Sequence, residues 1–594
     1  MNSVDGIRNP AARPRLLRAA LAMLLGASAH AGDWNVLEHG AVADGQSDAT
    51  AAFQAALDLA GAAGGGTVLA PPGEYRFDGS LVVPFGVTLQ GSYEVPATFQ
   101  PSESPRPFAG TSFLVHGGRG SNEEPAFIRL AGKMAALRGV LIRYPEATTD
   151  VVPPVPYPPT ILMNQWVTTV ENVCLLNSYE GIRMREAGRH LVRNVHGYPT
   201  WRGITVDWIQ DVGRIENCHF SPMGFAFEPE GAYMRWVFEH GIAFEFRQSD
   251  WQYVTNTFCF GYSVGYRFGE SKMGTVNGNF LGIAADCCRT PVLVDQASPV
   301  GLLITNGEFV GQWDHGRSVG IDIAPGCKGT VNLSNCAFWG PFDRLVRMRA
   351  DEARLVATAC NFESWDNDGD DSEALQIDAG RAIIQGSFFR EGRRHVRVGE
   401  KARAVTLLGN QADGGLQVEN HAGPRLRMDA NEEDLREVPR EALLHYRLRI
   451  GETGDSRFLP RWGAQGDATE WPEEARGKRR WSQPGSLLEL PVVPGRPYTL
   501  TIDAYVPEVA VGPSNGLFLG GRPLCGLREA GFVTLSMAIP PQQESPVRIE
   551  CRARLDAQTP EPLFRLFFAA DALSMKADGA PEACWDANAG AWVE

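Results

Sequence analysis

The sequence lacks several common signatures. No apolar run approaches the ~20 residues a helical membrane crossing needs, so no membrane span is expected. Positive charge is in deficit: 55 Lys and Arg stand against 70 Asp and Glu, a net −15. That balance argues against a nucleic-acid partner. The eleven Cys contain no Cys-x-x-Cys pair, which excludes a zinc ribbon or thioredoxin-like centre. Their odd number leaves at least one thiol without an intrachain partner, and Cys287-Cys288 reads as two ordinary thiols. The Gly-rich stretches lack both a lysine-bearing phosphate loop and dinucleotide spacing, so no nucleotide and no required cofactor are implied. What is abundant is Gly (65) and Pro (40) in 594 residues that are 44% hydrophobic. Such a chain can build a large core but not a helical bundle.

The first 31 residues read as a removable signal peptide. Arg8, Arg13, Arg15 and Arg18 form a basic stretch, residues 19–25 a short apolar run, and Ala29-His30-Ala31 a cleavage pattern. A secreted or periplasmic protein is the expectation.

The mature start is Trp34-Asn35-Val36-Leu37, read as a strand, followed by a Gly-rich turn to Gly45. Ser47 or Asp48 is a suitable helix N-cap. Phe53, Ala56, Leu57 and Ala60 then make one apolar stripe at helical spacing. Gly64-Gly65-Gly66 ends the helix, Thr67-Val68-Leu69 is a strand, and Pro71 to Tyr75 a turn. The segment HGAVADGQSDATAAFQAALDLA, then GGGTVLAPPGEYRF, then Gly86 to Gly91, resembles the opening of the pectate-lyase-like superfamily, which includes rhamnogalacturonase- and epimerase-like proteins. The resemblance implies an all-β, right-handed parallel β-helix capped by this helix. It also implies a protein that hydrolyses, eliminates, epimerises or merely binds glycans. The polygalacturonase set Asn-Thr-Asp, Asp-Asp and Gly-His-Gly is not present as a set.

A repeat is readable directly. Apolar-x-Asn-x-x-Phe or a variant recurs at Asn172, Asn194, Asn217, Thr255, Asn277, Asn306, Asn335, Ala359, Gln385 and Gly409, at intervals of 22 to 38 residues. A second strand follows each time, beginning at Gly181, Gly203, Gly241, Gly265, Pro291, Gly320, Leu345, Ala374 and His395. Its second and fourth positions are apolar and point inward; the third and fifth face out. The long insertions all fall between the first strand and the second, at one corner of the coil. Cys218, Cys336 and Cys360 share a column and read as small stacked core residues.

Stacking the second strands places Asp207 and Glu245 as outward neighbours on successive coils, about 4.8 Å apart. Two carboxylates that close repel when ionised, so one pKa should rise, as glycoside cleavage requires. Asp207 and Glu245 are therefore the candidate catalytic pair, with a structural ladder, Arg185 to Asp207 and Glu245 to Arg267, as the bland alternative. Arg183, Arg185 and Arg267 flank the pair and suit an anionic sugar. The 38-residue interval adds Glu228, Glu230, Tyr233 and Trp236, and leads to Arg247, Asp250 and Trp251. Trp201, Trp208 and Asp211 lie just upstream. These are the candidate substrate-binding residues, forming an aromatic and acidic wall over a groove. Asp366, Asp368 and Asp370 alternate around Gly369 as in calcium loops, making calcium the one possible cofactor.

Beyond residue 428 the repeat fades into a linker, 429–440. Residues 441–594 alternate with period two, as in Tyr498, Leu500, Ile502, Ala504 and Val506, which predicts a C-terminal antiparallel, jelly-roll-like β-sandwich. Trp462, Trp471 and Trp481 are candidate sugar contacts or core residues, and the module a possible carbohydrate-binding one. The reading is an exported enzyme cleaving a polysaccharide or oligosaccharide on the β-helix (32–428), with hydrolysis slightly favoured. A lyase acting on a uronic-acid-containing glycan and a non-catalytic glycan-binding scaffold are the alternatives.

Overall fold

The helix expected after the Gly-rich turn forms as α1 (Thr50–Ala62), and Phe53, Ala56, Leu57 and Ala60 are its buried face. Asp48 holds its start, accepting the Thr50 N–H at 3.0 Å. Phe53 packs edge-on against Tyr75, Phe77 and Phe113, with ring centroids 5.1, 5.0 and 5.5 Å away. The helix thus seals one end of the core. Two local readings change. Val36 and Leu37 lie in a 3-10 turn (Val36–His39), and Tyr75 lies in a strand (Gly73–Phe77) because its ring is core.

In this computed structural model the described residues are 33–99, 109–123, 125–223, 225–228, 230–313, 316–391, 394–412, 414–432, 438–451, 455, 458–460, 462, 480–553 and 568–593. Residues 1–31, read as a signal peptide, and Trp471 lie outside them.

After α1 the chain winds as a right-handed parallel β-helix, coils contributing strands to three parallel sheets. Sheet one runs through Pro159–Met163, Glu180–Arg185, Arg202–Asp207, Ile242–Phe246, Val264–Phe268, Thr290–Val294, Val319–Ile323, Arg344–Met348 and Leu375–Gln385. Sheet two includes Leu191–Gly197, Arg214–Glu216, Ser249–Thr255 and Gly274–Leu281. Sheet three includes His219–Phe220, Phe258–Phe260 and Ala284–Cys288. On sheet one the inward columns Ile182, Ile204, Phe244, Tyr266, Val292, Ile321 and Met184, Val206, Phe246, Phe268, Val294, Ile323 are fully buried. Phe244 stacks on Tyr266 at 4.8 Å and Phe246 on Phe268 at 5.6 Å.

The Asn motif marks a corner where the backbone turns left-handed. Asn172, Asn194, Asn217, Asn306 and Asn335 all have φ of 53–55°, a region Asn tolerates better than most residues. Their side chains form a ladder: Asn194 donates to Asn172 at 2.9 Å and Asn335 to Asn306 at 2.8 Å. Three positions in the repeat are corrected. The corner residues are Asn256, Gly282 and Gly386, not Thr255, Asn277 and Gln385. The backbone ladder runs through them, Asn256 N–H to Leu281 O and Gly282 N–H to Thr305 O. Cys218, Cys336 and Cys360 are buried, and none of the eleven Cys is in a disulfide.

The longest insertion of the repeat region lies between sheet three and sheet one. It carries a second helix, α2 (Ala232–His240). C-terminal to the coils, a seven-stranded and a four-stranded sheet share one core that includes Leu500, Ile502, Leu488 and Ile549. Their pairing is largely antiparallel, and Tyr498–Val506 alternates as expected. Trp462 and Trp481 are buried, so they are core residues rather than sugar contacts. No helix among the described residues is long and apolar enough to cross a membrane.

Candidate functional site

Sheet one presents its outward residues in two columns. In register these run Arg183, Thr205, Glu245, Arg267 and, two residues further along each strand, Arg185 and Asp207. Here the proposed carboxylate pair is corrected. Glu245 stands beside Thr205, not Asp207. The strand after α2 is offset by two residues from the repeat reading, with Ala243 taking the place of Gly203. Asp207 and Glu245 are therefore diagonal, about 8 Å apart at their Cα atoms by strand spacing and rise. Asp207 aligns with Arg185, but no ion pair joins them, so that rung of the expected ladder is missing.

Glu245 is 4% exposed and ringed by three guanidinium groups. Arg247 approaches at 3.3 Å, Arg202 at 3.5 Å and Arg267 at 3.6 Å. Arg267 also donates to Asp295 at 2.7 Å. Such a carboxylate neutralises cations; it is not half of a mutually repelling acid pair. Two coils back, Arg183 forks onto buried Glu180 at 2.7 and 2.5 Å. Polar groups between these coils are unsatisfied: the Thr205 hydroxyl and Asp207 Oδ1 are buried without hydrogen-bond partners.

At the head of these strands stands an aromatic group. Trp201 stacks on Tyr179 at 5.2 Å, and Trp236 of α2 stacks on His240 at 4.8 Å and lies 6.5 Å from Tyr179. Arg202 lies over the Trp201 ring at 4.3 Å and donates to the Trp201 carbonyl at 2.7 Å. Burial, with the charges of Arg267 and Arg247 adding, draws the Arg202 pKa below its ordinary value despite Glu245. Burial raises that of Tyr179. The cluster joins half-buried aromatic rings, a phenol and several arginines on one outward face.

Other expected residues fall elsewhere. Tyr233 lies on the buried face of α2, and Glu228 and Glu230 are exposed ahead of that helix. Asp250 and Trp251 belong to sheet two, around the corner, where Trp251 is 40% exposed. Trp208 and Asp211 lie past the ends of the sheet-one strands, with Asp211 paired to Arg189 at 2.7 Å. The insertion thus forms a helix beside the sheet rather than a wall over it. Tyr179 and Glu180 were not among the expected site residues. The one available signal was the position of Tyr179-Glu180 and Trp201-Arg202, each pair immediately before the small residue that opens a repeat strand. Asp366, Asp368 and Asp370 do converge, one carboxylate oxygen of each lying within 4.8 Å of the others.

Residues 34–128 match the family described as Rhamnogalacturonase A/epimerase, pectate lyase-like. Over these residues the chain is similar to the pectate-lyase-like proteins. A 67-residue segment, 10% of this chain, is 64% identical to mannuronan C5-epimerase AlgE1 of Azotobacter vinelandii, covering 5% of that protein. The same length is 45% identical to alginate lyase 7 of that organism, covering 8% of it. The matches to these curated relatives span 4–12% of their lengths. Among solved structures, the A-module of Azotobacter vinelandii mannuronan C-5 epimerase AlgE6 has a TM-score of 0.42 at 16% identity, over 68% of this chain and 99% of that one. The tailspike gp49 of Acinetobacter baumannii bacteriophage Fri1, a capsular polysaccharide depolymerase, has 0.35 at 12%, over 92% and 86%.

Proposed function

We propose that this chain is an exported enzyme acting on an anionic, uronate-containing polysaccharide on the outer face of sheet one. The reaction is abstraction of the proton beside the uronate carboxylate, leading to elimination or epimerisation. The observation that carries this reading is the crowding of Arg202, Arg247 and Arg267 around the single buried Glu245. A sugar carboxylate bound by Arg247 and Arg267 is partly neutralised, which makes the adjacent C–H more acidic. In this reading Tyr179 and Arg202 carry the proton transfer, and Trp201 and Trp236 meet the apolar faces of the sugar rings. The local likeness of a 67-residue segment to mannuronan C5-epimerases and an alginate lyase supports the same substrate chemistry. The C-terminal sandwich is proposed as an accessory glycan-binding module.

Hydrolysis is the second reading. It is favoured by one observation, the unpartnered buried oxygen of Asp207 on the same face.

The test is incubation with a panel of neutral and uronate polysaccharides in deuterated water. Proton abstraction predicts deuterium entering the uronate ring or ultraviolet-absorbing unsaturated ends. New reducing ends with neither would establish hydrolysis instead. Binding without any product would leave a scaffold. Tyr179→Phe should abolish turnover while preserving binding.

A further inference from the structure

The outer face of sheet two changes character along the solenoid. In the early coils it is charged: Glu171 aligns with Arg193, and Arg193 with Glu216. From Gly274–Leu281 onward its two central columns carry no charge. One runs Asn279, Leu303, Asn332, Val356, Ile383 and Thr406. The other runs Leu281, Thr305, Ser334, Thr358, Gln385 and Leu408. Leu281, Leu303, Ile383 and Leu408 are 36–43% exposed. The adjoining corner adds only small or amide residues, Asn306, Asn335, Ala359, Gly386 and Gly409. We propose that this stripe pairs the solenoid with a second copy of this chain.

Charge selects that occupant. The chain carries a net −15, so two copies repel unless they meet where charge is missing. A two-fold interface sets one patch against itself, and a charged patch would then face its own charge. An uncharged stripe is compatible with its own copy, and depletion of charge marks the centre of protein interfaces. A sugar chain suits it less well, because neither column offers an aromatic ring for stacking.

The rims supply a second observation. Arg354 and Arg381 stand in register on adjacent strands, flanking the stripe. Both are exposed, and neither makes an ion pair among the described residues. Like charges placed so are destabilising without an anion beside them. Beyond the corner on the opposite side lie Glu308, which accepts the Trp339 indole N–H at 3.1 Å, and Glu363, which holds Arg390 at 3.1 Å. A two-fold axis along the solenoid turns one copy so that its arginine rim meets the glutamate edge of the other. An axis across the solenoid would set arginine against arginine, so the parallel arrangement is the one selected.

The area is sufficient. Five strand spacings of about 4.8 Å give a length near 24 Å, and about eight residues of extended chain from rim to edge give roughly 26 Å. Each copy then covers roughly 600 Å², the lower bound of stable interfaces at about 600–1,000 Å² a side.

The experiment measures the mass of the full chain by light scattering and sedimentation, from low to high micromolar concentration. A dimer is expected at the upper end. Leu303→Lys with Ile383→Lys puts charge into the stripe and should weaken association more than tenfold. Both positions are exposed, so melting should be unchanged. Arg354→Glu with Arg381→Glu, and separately Glu308→Lys with Glu363→Lys, should each be monomeric. An equimolar mixture of those two variants should regain the dimer, since each then offers the charge the other needs. The proposal is overturned if wild type is monomeric at every concentration or forms an assembly of another order. It is equally overturned if the stripe variant associates as wild type does, or if the mixture stays monomeric. A neutral or uronate polysaccharide that binds monomeric wild type but not the stripe variant would make the stripe a glycan surface instead.

Discussion

Glu245 and Asp322 occupy the same outward column of sheet one, three coils apart, and are 4% and 6% exposed. Each is surrounded by arginines, yet the two clusters differ. Asp322 takes Arg347 at 2.8 and 3.2 Å and Arg349 at 2.9 and 3.0 Å, all at ordinary hydrogen-bond lengths. Glu245 holds three arginines at 3.3–3.6 Å, the longer and weaker range. At Asp322 the cations are saturated by their carboxylate, which makes a clamp between coils. At Glu245 three arginines meet one carboxylate at long range, and Arg267 takes its short bond from Asp295 instead, so donors are left for a ligand. Similar chemistry in one column can therefore serve structure at one point and recognition at another.

Acid should give the largest separation between the two regions. His190 and His196 lie in the coils around Glu245, and burial depresses each pKa to about 4. Among the described residues no His lies between Glu245 and Asp322 in sequence; His315 lies outside them. A depressed His contributes stability fully above about pH 6.5 and loses it as pH falls toward 4, because the unfolded chain takes up protons the folded one refuses. Each shift is worth up to roughly 3 kcal/mol. Hydrogen exchange between pH 7 and 4.5 should open the coils around Glu245 before those around Asp322. Equal loss of protection in both would break the comparison.

Next in size is catalysis. Arg247→Ala with Arg267→Ala should lower activity on a uronate polysaccharide at least about a hundredfold, near 2.7 kcal/mol. Arg347→Ala with Arg349→Ala should leave activity within about twofold. If both pairs reduced it alike, the ligand role of the Glu245 cluster would be lost.

Stability should show the reverse order. Asp322→Asn should cost about 2 kcal/mol, measured by denaturant unfolding, since it removes four charge-assisted bonds to partly exposed arginines. Glu245→Gln should cost only about 1 kcal/mol, because its contacts are long and Arg247 and Arg267 can turn to water. A larger cost for Glu245→Gln would mean that it, too, is a clamp.

Much of the fold could be read before any coordinates. The stripe Phe53, Ala56, Leu57, Ala60 and the inward columns of sheet one are periodic, and periodicity follows from burying one face of each element. The site was read less well. Repeat alignment paired Glu245 with Asp207, but a period-two pattern is unchanged by a shift of two, and both alignments bury Phe244 and Phe246. Only hydrogen-bond register places Glu245 beside Thr205 and Arg267. The aromatic wall failed for a related reason. Tyr233 and Trp251 have suitable chemistry, but α2 turns one inward and a sheet change carries the other around a corner.

The sequence by itself determined the solenoid, its capping helix, the left-handed Asn corners and the alternating sandwich, because each rests on local periodicity or backbone preference. Only the tertiary structure decided which charges meet. Coil register and the α2 insertion set whether Glu245 faces an acid or three arginines. Those contacts join residues far apart in the chain, where no local pattern constrains the pairing.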